Sequence, residues 1–263
     1  MDYKKIEVDF LLNKITSKDK LFSGDYTIDP YQNCEFGCLY CDSSFFKTIK
    51  IKTNSTEVLD IELATTKKGV IIVGSVHDAY QKAEKKYQIT RSLLEIIKKH
   101  GFSCNILTKS NLVLRDIDIL KKIDYCKVTI SLISLKNEIS NLYEKNVPSP
   151  KIRLETVKTL NENGIKAGLA IMPVLPFIVE NEVESIIKSS KEHNAQYLLN
   201  KHLELKGDQK KYYINILRKN FLDLVEQYEE TYKDNYMPNN DYIVKINNEI
   251  SKLCKLYHLK NKI

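Results

Sequence analysis

Runs of apolar and β-branched residues alternate with helically spaced ones along most of this chain. Tyr26–Ile28 reads as a short strand, and Lys47–Lys52 alternates strictly between polar and apolar residues, as a half-exposed ribbon does. Gly69–Gly74 is a continuous apolar run, the pattern of a strand buried on both faces. Helical spacing follows over Tyr87–His100 and stops at Gly101, a common helix terminator. Further strands are predicted at Ser103–Thr108, Lys127–Ile133, Ala167–Val174 and Ala195–Leu199. Between them the spacing predicts helices near Arg115–Ile123, over Lys151–Asn163 before Gly164, and over Glu180–Glu192. Six strands separated by helices imply parallel pairing with helical crossovers. Beyond Gly207 the pattern is helical only, with pieces near Gln209–Tyr232 and Tyr242–Tyr257. We expect residues 1–206 to form the α/β body and 207–263 a helical tail packed on it, since no Ser/Gly-rich linker or internal repeat intervenes.

Composition adds limits. A chain of 263 residues with 43% hydrophobic content can bury a large core. No apolar run is long enough to span a bilayer, and Met1-Asp2-Tyr3-Lys4-Lys5 lacks the apolar core of a signal peptide. A cytoplasmic location, with thiols kept reduced and able to serve metals, is the expectation. Lysine and arginine number 41 against 34 acidic residues, a net +7. That balance permits a nucleic-acid partner without arguing for one, because the lysines are scattered over otherwise amphipathic stretches. No membrane partner is expected.

Three of the six cysteines fall in Cys34-Glu35-Phe36-Gly37-Cys38-Leu39-Tyr40-Cys41, at C-x3-C-x2-C spacing. A tight loop turning three thiolates inward can hold three irons of a cubane cluster and leave the fourth open to a ligand. Gly37 lets such a loop fold tightly, and Tyr40 sets an aromatic face beside the metal. A zinc site is the alternative, but structural zinc takes paired C-x2-4-C halves and four ligands, and no second half is visible. A fully ligated cluster in an electron-transfer or metal-binding module is the other alternative, and it has no open iron to bind a substrate.

The C-x3-C-x-aromatic-C run resembles the signature of the radical S-adenosylmethionine (SAM) superfamily. The resemblance implies a [4Fe-4S] cluster on Cys34, Cys38 and Cys41, with the open iron chelated by the amino and carboxylate groups of SAM. Tyr40 is then near the adenine. Reduction of the cluster, from an external donor such as flavodoxin or ferredoxin, would cleave SAM to a 5′-deoxyadenosyl radical. The fold implied is an incomplete (β/α)6 TIM-type barrel with a C-terminal helical extension, whose chemistry gathers on the loops after the strands.

Later segments resemble the spore photoproduct lyase-like branch. They are Asp78-x-Tyr80-Gln81-x-x-Glu84 with Thr90-Arg91, Leu107-Thr108-Lys109-Ser110 with Arg115-Asp116-x-Asp118, Pro150-x-x-Arg153-Leu154, and Pro173-x-x-Pro176. The likeness runs from about Thr27 to about Tyr197.

The strand-end rule selects the cofactor-binding candidates. Lys109 is a point charge suited to the SAM carboxylate. Ser131 stands where related enzymes use a serine for that group or the ribose, and His77 and Asp78 are set to meet the SAM amine or the substrate. Tyr80 is a candidate hydrogen relay. Each has a structural alternative: Lys109 paired with Asp116, Ser131 as a small core residue, His77 as scaffold. Arg115, Asp116 and Glu84 read as residues that knit loops together.

One departure bears on substrate. Spore photoproduct lyase returns a hydrogen atom to its product from a cysteine after the second strand, and here that position is Ser75, whose O–H bond is too strong for the task. Cys104 lies four residues before Thr108, roughly 13 Å from the strand ends, and Cys126 precedes its strand. Both read as small buried hydrophobes, and Cys254 as a helix-packing residue in the tail. DNA-lesion splitting is therefore the alternative, and the first expectation is hydrogen abstraction from another, unidentified substrate.

Overall fold

The computed structural model describes residues 1–17 and 19–263. Its strands are β1 (Asp2–Ile6), β2 (Asn13–Lys14), β3 (Tyr26–Ile28), β4 (Tyr31–Gln32), β5 (Thr48–Lys52), β6 (Val70–Val73), β7 (Ser103–Thr108), β8 (Cys126–Ser131), β9 (Lys166–Val174) and β10 (Leu198–His202). Seven form one sheet in the order β10-β9-β8-β7-β6-β3-β2. All neighbours in it are parallel except β2, which lies antiparallel to β3. The six parallel strands are those expected. The other three make a small sheet, β1-β5-β4, in which β1 joins the Lys47–Lys52 ribbon in parallel.

The crossovers carry α1 (Ser55–Thr65), α2 (Ala83–Tyr87), α3 (Ile89–Lys99), α4 (Ile117–Leu120), α5 (Asn137–Tyr143), α6 (Pro150–Glu162) and α7 (Val183–Glu192). The tail carries α8 (Asp208–Asn220), α9 (Val225–Thr231) and α10 (Asn240–Leu256).

The strand residues divide by face. Ile71, Val73, Ile106, Val128 and Ile130 pack with helix residues such as Leu93, Leu94 and Leu160 in the main core. Ile72, Ala170 and Leu199 pack instead with Phe22 and Tyr197. Ile72 on β6 and Ala170 on β9 are separated by two intervening strands, so their common cluster means the sheet curls toward itself. It remains an open barrel, because β2 and β10 are its two edges.

Where boundaries differ from the sequence pattern, a local cause is visible. The Tyr87–His100 helix breaks at Gln88, which is left-handed (φ 51°). There the buried Glu84 carboxylate accepts the Thr90 and Arg91 N–H groups, capping α3 afresh. The last parallel strand begins at Leu198 rather than Ala195, because the chain first leaves α7 through left-handed Asn194. Helix α1 escapes the pattern reading. Its apolar residues are not gathered on one face: Leu59 and Leu63 are buried while Ile61 points to solvent.

The tail packs through aromatic rings. Tyr143 at the end of α5 stacks on Tyr213 of α8 (centroids 5.8 Å apart), and Tyr213 lies 5.6 Å from Tyr228 of α9. Tyr228 donates its hydroxyl to Pro176 O and Tyr232 donates to Leu203 O, on loops that follow β9 and β10. No helix among the described residues is long and apolar enough to cross a membrane.

Candidate cluster and cofactor site

The motif loop follows β4 and crosses the carboxyl end of the sheet. It is braced from four directions. Gln81, fully buried, accepts the Glu35 N–H (2.9 Å) and donates to Asn33 O (3.1 Å). The Glu35 carboxylate accepts from Tyr3 of β1 (2.6 Å) and from the Ala83 N–H. Leu39 donates its N–H to Tyr143 O (2.9 Å), while Gln209 of α8 donates to Leu39 O (2.9 Å). The Cys41 N–H closes the turn onto Cys38 O (3.0 Å), and Gly37 takes the left-handed angles (φ 59°) that open it.

Cys34, Cys38 and Cys41 are free thiols, and all three line one cavity of roughly 340 Å³. Burial pushes the Cys34 thiol up to about 12 and Cys38 further still, against the pull of Lys109 on Cys38. They hold their protons until a metal displaces them. Among the described residues no three His, Cys, Asp or Glu side chains converge on a single-ion site. Structural zinc takes four protein donors, whereas three thiols on one loop match the three protein ligands of a cubane with one open iron. The donor set therefore fits the cluster.

The strand ends supply the opposite wall. Asp78 accepts from the Thr108 hydroxyl (2.7 Å), the Lys109 N–H (2.8 Å) and the Tyr80 N–H (2.9 Å), tying the loop after β6 to the end of β7. Burial raises its pKa, and these bonds oppose the rise. Lys109 thereby turns toward the motif loop, with Nζ 5.8 Å from the centre of the Tyr40 ring. Among the described residues none bonds to that ammonium; Asp116 pairs with Arg91 and Arg115 instead. Burial pushes the Lys109 pKa down, but the negative groups facing it, the Cys38 sulfur once ionised, Glu144 and Asp78, outweigh burial and the net shift is upward. An ammonium held charged without a protein partner suits an anionic ligand.

Tyr40 lies across the cavity wall with its hydroxyl donated to Glu144. Glu144 pairs with Arg153 at 2.7 Å, both side chains fully buried. Arg153 also donates to Ser131 O (2.9 Å) and Ser140 Oγ (2.8 Å). This chain fixes the plane of the aromatic ring beside the thiols.

Other candidates stand apart from the cavity. Ser131 is buried and donates its hydroxyl to Met172 O (2.9 Å). His77 sits beside Asp29, whose carboxylate accepts the backbone N–H groups of His77 (2.9 Å) and Val76 and the Ser75 hydroxyl. Burial lowers the pKa of the His77 ring. Tyr80 is buried beneath the loop against Asp116 and Glu84. Glu84, Arg115, Asp116 and Arg91 form one ionic knot joining the loops after β6 and β7. Residues left without a role by the sequence also line the cavity, Lys201 and His202 at the strand-end mouth where the pattern puts them. His202 and Lys201 come from the end of β10, Glu204 and Lys206 from the loop after it, and Gln209 from the tail.

Gly74 turns the chain out of β6 with φ 79°, and a methyl group there would stand 2.9 Å from Leu107 O. Gly74→Ala should destabilise the fold by about 1–3 kcal/mol, from the left-handed backbone and that clash. Urea unfolding of the anaerobic protein would check this, and an unchanged midpoint would mean the loop re-forms at no cost.

The model of the radical SAM superfamily matches residues 28–189, more than half of the chain. An uncharacterized protein of Methanocaldococcus jannaschii is 33% identical over 182 residues, 65% of this chain and 68% of that protein. An uncharacterized protein of Mycobacterium tuberculosis is 24% identical over 234 residues, 81% and 69% of the two chains. Among solved structures, a mutant of spore photoproduct lyase is similar in fold, with a TM-score of 0.76 at 15% identity, covering 96% of this chain and 79% of that one. Streptococcus suis SuiB bound to S-adenosylmethionine is similar at a TM-score of 0.54 and 16% identity, over 77% of this chain and 44% of SuiB.

Proposed function

From the premise that this chain belongs to the radical SAM superfamily, whose members use a [4Fe-4S] cluster and SAM, we propose that it cleaves SAM reductively and abstracts hydrogen from an organic substrate. The observation that carries this reading is the meeting, on the wall of one cavity, of three motif thiols and one ammonium without a partner among the described residues. The cluster and SAM, when bound, supply the 5′-deoxyadenosyl radical. Cys34, Cys38 and Cys41 hold the irons. Lys109 binds the SAM carboxylate and offsets the negative charge of the thiolates. Tyr40, held by Glu144, offers a flat apolar face to the adenine. Electrons come from an external donor.

The test is 5′-deoxyadenosine formation by anaerobically reconstituted protein with SAM and a strong reductant. Product is expected. A full iron complement whose reduced spectrum does not respond to SAM would sink the proposal in favour of a closed, electron-transfer cluster.

Lys109→Met should weaken SAM binding by about tenfold to a hundredfold, the worth of one hydrogen bond to a charged group. Equilibrium dialysis at matched iron content measures it, and unaltered affinity would remove Lys109 from the SAM site.

For the substrate, one observation separates this chain from lesion splitting. Among the described residues no cysteine besides the motif three lines the cavity, and the Ser75 hydroxyl is donated to Asp29 at 3.1 Å. Without a thiol to return hydrogen, an irradiated thymine dinucleotide should be left unrepaired, and its repair would overturn this part of the proposal.

A further inference from the structure

Of the three cysteines outside the motif loop and the cavity, two meet. Cys104 of β7 and Cys126 of β8 are direct Cα partners on neighbouring parallel strands, at the end of the sheet away from the cavity. Their side chains share a face, and the Cys104 thiol donates to Cys126 with the sulfurs 3.5 Å apart. Cys104 is fully buried. Cys126 is part-exposed and lines a separate depression of roughly 160 Å³ beside Lys121, Tyr125 and Lys166.

The backbone already suits a crosslink. Adjacent strands run about 4.7–4.9 Å apart, inside the span of about 4.4–6.8 Å over which the Cα atoms of a disulfide stand. Bringing the sulfurs to about 2 Å asks for thiol rotation and little strand movement. The two thiols also differ in readiness. The hydrogen bond to Cys126, and then burial, hold the Cys104 proton firmly in place. Only Cys126 has a route to reagents in solvent.

We propose that Cys104 and Cys126 are a redox-reactive pair, converted to an intrachain disulfide by low-molecular-weight disulfides that enter at Cys126. The Cys126 thiolate attacks one sulfur of the reagent, whose S–S bond breaks and releases one thiol, leaving a mixed disulfide. Cys104 then loses its proton and attacks the Cys126 sulfur, releasing the second thiol. Two cysteine thiols are oxidised, one reagent disulfide is reduced to two thiols, and the two protons leave with them. The proposal stands independently of the reaction assigned to the cavity.

The experiment treats anaerobically reconstituted, cluster-loaded protein with oxidised glutathione. Remaining thiols are alkylated during denaturation, and peptides are mapped by mass spectrometry without reduction. The wild-type chain should give a crosslinked peptide pair joining Cys104 to Cys126. Cys104→Ser should stop at glutathione on Cys126, and Cys126→Ser should leave Cys104 fully alkylated. Alkylation of both cysteines in the wild-type protein after excess reagent would overturn the pairing. Glutathione on Cys104 in Cys126→Ser would overturn the order of attack.

Discussion

Cys38→Ala should abolish 5′-deoxyadenosine formation and lower the iron bound after reconstitution to background, while the fold persists. Cys38 is the buried member of the three motif thiols and stands at the centre of the loop, with its carbonyl closing the turn to Cys41. Two thiolates cannot hold a cubane of four irons against exchange with solvent ligands, so the loss is of the cluster and not merely of one contact. The loop itself is secured by Gln81, Glu35, Tyr143 and Gln209, none of which needs the thiol. Iron analysis, the spectrum of the reconstituted variant and unfolding in urea separate these outcomes. SAM cleavage by an iron-replete Cys38→Ala protein would mean that the cluster ligands lie elsewhere.

Arg153→Met should cost about 3–5 kcal/mol of stability, since it leaves a buried carboxylate without its partner. Glu144 has no route to solvent in which to recover that loss. The Ser131 carbonyl and Ser140 hydroxyl lose a donor in the same step. Removing both charges in Glu144→Gln/Arg153→Met should recover part of the deficit, because the penalty lies in the unpaired charge. Tyr40 would lose its charged acceptor in the double variant, so SAM affinity should stay impaired while stability returns. Urea midpoints and SAM dialysis on the same preparations separate the two. An Arg153→Met protein as stable as wild type would show that the pair only fills space.

The six parallel strands were legible because strands covered on both faces carry long apolar runs, as at Val70–Val73 and Lys166–Val174. The motif loop was legible because its chemistry lies within eight consecutive residues, and Lys109 because it ends a strand. Strand ends give height above the sheet and not direction, which is why Ser131 turns its hydroxyl to Met172 O although it sits at the expected level. Glu144 and Gln209 carried no signal. Each meets the loop across 104 and 170 residues of chain, and no local pattern encodes such a meeting. The abundance of tyrosine, mute as composition, proves to be the material that joins the tail to the barrel.

The bond from Gln209 to the Leu39 carbonyl orders events in time. During synthesis the thiol loop emerges early, yet its last brace arrives only after the whole barrel has been made. At about 5–20 residues per second, those 170 residues take on the order of ten seconds or more. Throughout that interval the nascent loop is open on one side. Docking of α8 is therefore the step that closes the thiol loop, and it follows synthesis of the last barrel strand, β10.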